Sequence, residues 1–104
     1  MLADNAEQIV RAHLDVRTAM RCGRRNDAPA AAERFAFLVE LELDDPTFPA
    51  ARRQELARVC NLARGAREMF ARGHHDAGYQ LVRAIAARRL VGLLDREVPL
   101  LAAA

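Results

Sequence analysis

Residues 72–81 read RGHHDAGYQL and bring two adjacent histidines, His74 and His75, together with Asp76 and the single tyrosine, Tyr79. Imidazole and carboxylate are metal ligands, but a zinc site needs three or four converging donors. Adjacent side chains at a helix break point apart, and the stretch lacks the i, i+4 spacing that gathers histidines on one helix face. The stretch therefore reads as an exposed corner between two helices, beside a helix C-terminus that favours imidazolium. No metal or cofactor is expected. Cys22 and Cys60 show no metal-ligand spacing either and fall within apolar-periodic helices, where cysteine usually acts as a small buried hydrophobe.

Two other histidine arrangements suggest chemistry. Arg67 and His74, with six residues between them, resemble the Arg–His pair of HEPN-type nucleases, small helical bundles that cleave RNA. The resemblance implies an Arg that stabilises phosphate charge and a His acting as acid or base. Sixteen arginines and three histidines supply roughly one such spacing by chance, and Glu68 stands just after the Arg, a departure from the polar residue commonly found there in that family. A HEPN-like ribonuclease is accordingly the third reading. His13 stands in the first helix, as the phosphorylated histidine does in phosphotransfer domains. The Lys and Gly expected on its C-terminal side are Val16 and Arg17 here, so His13 reads as a packing residue.

Absent residue types exclude more. The chain has no serine and no lysine, which removes a serine nucleophile and a lysine Schiff base. It has no glycine-rich phosphate loop after a strand and no carboxylate pair with E-x-x-H spacing. A non-enzymatic protein is expected.

The elements that would position these groups are helical. Alanine, the strongest helix former, occurs 22 times in 104 residues, and valine and isoleucine show no alternating run that would support strands. The first helix is expected over about 4–22, with Asp4 and Glu7 as a capping box and Gly23 as its stop. Its inward stripe is Ile9, Ala12, His13, Val16, Ala19 and Met20. The second is expected over about 28–43, with Pro29 in its first turn, and DDPTFP ends it. The third, about 48–72, buries Leu56, Val59, Cys60, Ala63, Ala66 and Phe70. Gly65 in its middle implies a close neighbour or a bend. The fourth, about 77–95, is capped by Asp76 and carries Leu81, Val82, Ile85, Ala86, Leu90, Leu93 and Leu94. Around the third turn, MFARGHHDAGYQLVRAI resembles a single tetratricopeptide-type hairpin through Phe70, Gly73 and Gly78. It lacks that repeat's early Trp and terminal Pro, and no second copy follows. Short connections imply antiparallel neighbours. The fold expected is all-α: one domain spanning 1–104, a small antiparallel up-down four-helix bundle, completed in one version by dimerisation. The terminal LLAAA plays no part in this reading.

Charge and grease locate the partner. Every one of the sixteen basic residues is arginine, as a GC-rich coding sequence produces. Residues 33–45 carry a formal charge of −4 and residues 46–104 carry +5, a polarity suited to contacts between helices or between subunits. In the second helix, FAFLVELEL is apolar nearly all round, which demands cover on more than one side. Phe35, Phe37, Leu38 and Leu41 are thus the candidate residues for a protein partner or a second copy, and a protein–protein interaction module or accessory protein is the leading reading. Small arginine-rich nucleic-acid binding is the alternative, through Arg17, Arg21, Arg24 and Arg25 after the first helix and Arg88 and Arg89 in the fourth. Phosphate contacts from such clusters need no sequence reading. MLADNAEQIV has no basic region or apolar core of signal-peptide type, and no run is long enough to span a membrane. A bacterial-type cytoplasmic location is expected.

Overall fold

The computed structural model describes residues 2–96, so the terminal LLAAA and the end of the expected domain lie outside the described residues. Five α-helices are present and no strand occurs among the described residues: α1 (Asp4–Arg21), α2 (Ala28–Asp44), α3 (Arg53–Ala71), α4 (His75–Arg83) and α5 (Ala87–Leu94). Short 3-10 turns at Arg25–Asp27 and Ala50–Arg52 lead into α2 and α3. The three long helices pack antiparallel, α2 between α1 and α3, while α4 packs on α3 and α1, and α5 on α1.

Two helix ends follow one device. Gly23 and Gly73 adopt left-handed φ values of 75° and 82°, and the next residue's N–H returns to a carbonyl inside the helix. Arg24 donates to Ala19 at 2.8 Å and His74 to Met69 at 2.8 Å. This 6→1 bond satisfies carbonyls that the last helical turn leaves open. The helix starts differ from expectation. α1 is capped by the backbone of Ala3, whose carbonyl accepts the Glu7 N–H at 2.9 Å, and no side chain caps it. Asp4 and Glu7 lie inside the first turn instead, where they favour the helix dipole. Likewise α4 starts at His75, with the His74 carbonyl accepting from Gly78 at 3.0 Å, and Asp76 caps nothing.

The expected fourth helix is two helices. Ala86 is extended (ψ 129°), and the Ile85 N–H bonds back to Val82 at 3.0 Å. Neither proline nor glycine stands at this joint, and packing supplies the reason. At about 100° per residue, Ile85 and Leu90 would stand about 140° apart on one unbroken helix. Both are buried in the same core. The break turns the Leu90, Leu93 and Leu94 face of α5 inward without losing Val82 and Ile85 of α4.

The core has two halves. The larger joins the N-terminal part of α1 to α5 and to α2 and α3 through Ile9, Phe35, Val39, Leu56 and Leu90. The other is small-residue packing, with Ala19, Ala28, Ala32 and Ala66 around Val16, Phe70 and Val82. Close approach here explains two glycines. A Cβ on Gly78 would lie 2.7 Å from the Phe70 ring, and one on Gly65 would lie 3.2 Å from Leu81 Cδ1. Gly65 therefore marks a close neighbour rather than a bend, since α3 runs unbroken through it.

These distances predict opposite signs for similar substitutions. Gly78→Ala forces the buried Phe70 ring to move and lowers stability by about 1–3 kcal/mol. Gly92→Ala meets nothing within 4 Å on α5 and raises stability by up to about 1 kcal/mol through helix propensity. Urea unfolding of both variants beside the parent chain measures the difference.

Candidate interaction surface

The core arc of α2 is formed by Ala28, Ala32, Phe35, Ala36, Leu38, Val39 and Glu42, the rows that face α1 and α3. Of the four apolar residues nominated from sequence, Phe35 (0 % exposed) and Leu38 (7 %) belong to this arc and are enclosed. They are not available to a partner. Phe35 is held beneath the His13 ring, centroids 5.4 Å apart. Phe37 and Leu41 are 55 % and 47 % exposed, one turn apart, so they share one face. Phe37 points almost directly away from the core arc. Leu14 on α1 and Val91 on α5 are also exposed, but on other elements.

The acids around this face divide by role. Glu40 accepts from Arg64 at 2.8 Å and Arg67 at 3.0 Å, and these bonds, Arg67 first, hold its carboxyl below the ordinary range. Glu42 is buried and accepts from Asn5 at 2.8 Å and from Arg96. Asp45 receives the Thr47 hydroxyl at 2.7 Å and its N–H at 2.9 Å, then Arg96, which lower its pKa to about 2. Glu33 and Asp44 are exposed and make no ion pair among the described residues. The outer face of α2 is thus apolar at Phe37 and Leu41 and acidic at its edge.

Several arginines serve the fold. Buried Arg52 donates to the carbonyls of Leu93 at 3.4 Å and Asp95 at 2.7 Å, closing the end of α5. Arg53 donates to Leu43 at 2.7 Å and to Asp45, closing the end of α2. Sequence reasoning missed both, because a capping arginine across a loop has no local signature beyond the helix end it must reach. Among the nucleic-acid candidates, Arg25 pairs with Asp76 at 2.9 Å. Arg17, Arg21, Arg24, Arg88 and Arg89 form no ion pair among the described residues. Their two clusters are not brought together. Arg21 ends α1 and Arg24 and Arg25 follow it, whereas α5, carrying Arg88 and Arg89, lies with the N-terminal half of α1.

The histidines resolve separately. His75 bonds the Gly73 carbonyl at 3.1 Å and meets Phe70 edge-on at 5.4 Å, so the corner is held by packing. Arg67 is turned to Glu40, while His74 occupies the corner with its backbone engaged on both sides. No group of three or more His, Cys, Asp or Glu suited to a metal occurs among the described residues. His13 is buried, 1 % exposed, with Nε2 3.1 Å from the Val82 carbonyl. A carbonyl only accepts, so the neutral ring carries its proton on Nε2. Burial pushes this imidazole below its ordinary 6.5, and Arg17, one turn on, acts in the same direction. Cys60 is buried, and that burial pushes its thiol up, whereas Cys22 is exposed at the end of α1 and not the buried hydrophobe expected. No helix among the described residues is long and apolar enough to cross a membrane.

A second apolar feature is lined by no residue of α2. Between α3 and the α4–α5 joint, a groove of about 200 Å³ is floored by Val59, Leu62, Ile85 and Leu90 and edged by Glu55, Arg58 and Arg89.

Burial predicts which α2 residues matter to folding. Phe35→Ala costs about 3–5 kcal/mol, while Phe37→Ala stays within about 0.5 kcal/mol; denaturant melts of the two variants check the contrast. For His13 the folded pKa lies below the unfolded value, so the unfolded chain binds more protons between the two. Stability is complete above about 6.5 and falls as pH drops through the folded pKa. Between pH 7.5 and 5 the parent chain should lose more stability than His13→Gln.

Compared with known protein families, curated proteins and solved structures, the chain matches none of them.

Proposed function

We propose that this chain is a non-enzymatic interaction module, a small helical accessory protein that docks on a protein partner through the outer face of α2. The observation that carries the reading is the pair Phe37 and Leu41. Both are large, about half exposed, and aligned at i, i+4 on a helix whose other large apolar residues are packed inside or against the core. Aromatic anchors of this kind dominate the binding energy of protein interfaces, and a helix offering two anchors one turn apart suits docking along a groove. The flanking carboxylates of Glu33 and Asp44 add a charged rim, which sets register and on-rate more than affinity. Nothing in this role requires a bound cofactor or a reactive side chain.

A photo-crosslinking amino acid placed at position 37 or 41 in the native host tests the reading. Discrete protein adducts are expected from both positions and none from the same group at Glu68, which is exposed on α3. Folded protein that yields no adduct from either α2 position overturns it.

A further inference from the structure

The outer face of α2 and the groove beside the α4–α5 joint are complementary, and we propose that each binds the other between two copies of this chain, head to tail. The inference rests on the docking reading of α2 and names the partner as a second copy.

Shape comes first. An apolar cavity on the order of 150 Å³ accepts a benzene ring, and the groove offers about 200 Å³, so one phenyl ring fits with room at the mouth. It stays open because Ala84 and Ala86, at the helix break, are too small to fill it. Its floor is apolar, as Phe37 and Leu41 require.

Charge agrees with shape. Arg58 and Arg89 stand exposed on the groove's rim and make no ion pair among the described residues. Glu55 shares the rim, leaving it net positive. Opposite, Phe37 is flanked by Glu33 one turn before and Asp44 two turns after, both exposed. Arg34, the cation nearest them on α2, is drawn toward Gln8 of α1 at 3.2 Å. Glu33 and Asp44, which form no ion pair among the described residues although Asp44 lies within the field of Arg64, are complementary in sign to Arg58 and Arg89 of a second copy.

The arrangement forbids a single chain from satisfying itself. α2 lies between α1 and α3 with Phe37 turned outward, and the groove opens between α3 and the α4–α5 joint. Each copy therefore offers one anchor and one socket on different sides, a heterologous contact that propagates into a ring or a filament rather than closing as a twofold dimer. Two anchors in one groove form far less than the ~800 Å² per partner of a standard interface, so assembly is weak and depends on concentration.

Two exposed-site variants test it. Phe37→Asp removes the anchor and keeps the socket; Arg58→Glu with Arg89→Glu reverses the rim and keeps the anchor. Circular dichroism of each confirms folding. In sedimentation velocity at high concentration, the parent chain is expected to associate beyond a dimer. Each variant alone should associate more weakly by about tenfold or more, as loss of a buried Phe or of charge matching implies. An equimolar mixture should form a one-to-one heterodimer and stop there, since one anchor and one socket remain. A monomeric parent chain, or a mixture that stays monomeric, overturns the proposal. So does a rim variant that associates like the parent while Phe37→Asp does not; that result leaves α2 as a docking face and removes the groove as its socket.

Discussion

An interior built largely from small side chains can be dense only if its helices come close, and the rest of this structure follows from that. Alanine on α1, α2 and α3 lets the backbones approach around Val16, Phe70 and Val82, and Gly78 seats the Phe70 ring directly. Close approach removes space for water around helix ends, so polar groups there need protein partners. Arg52 and Arg53, adjacent in sequence, close the ends of two different helices. His13 does similar work in the interior, donating to Val82 next to the α4–α5 joint.

Charge is organised by the same geometry. The acidic α2 is flanked by arginines on α3 and at the end of α5, and its inward or lateral carboxylates, Glu40 and Glu42, are bound there. Arg96 joins Glu42, Asp45 and Thr47 and lies over the Phe48 ring at 5.6 Å, tying the chain after α5 to the turn after α2. Exposed pairs such as Arg25–Asp76 are worth little individually. The partly buried group around Glu42 matters more, because a buried carboxylate without partners would be costly. Glu33 and Asp44 on the outer face of α2, and Arg58 and Arg89 on the rim of the groove, stand outside these pairs.

The RGHHDAGYQL corner shows how reactive residue types serve structure. Gly73 reverses the chain, the His74 backbone closes one helix and opens the next, and His75 packs on Phe70. Asp76, on α4, pairs with Arg25 in the connection between α1 and α2. The side chains of His75 and Asp76 engage a neighbouring ring and loop, and Tyr79 meets Arg83 at 5.5 Å.

Sequence alone determined the helical class, the inward stripes of α1 and α3, and the stops at Gly23, Pro46 and Gly73. Periodicity and backbone restriction are local, and they act wherever the helix packs. It also singled out FAFLVELEL as apolar nearly all round, though not which pair of it, Phe37 and Leu41, stays exposed. The stripe Ala28, Ala32, Phe35, Ala36 and Val39 runs at helical spacing and leaves Phe37 and Leu41 opposite it, a signal that four apolar neighbours obscured. Only the tertiary structure decided that α1 and α3 together cover one arc and leave the other bare. It alone placed the break at 84–86, because no breaker residue stands there. Ile85 and Leu90, about 140° apart on one unbroken helix, had to reach one core, and that demand exists only once the other helices are in place.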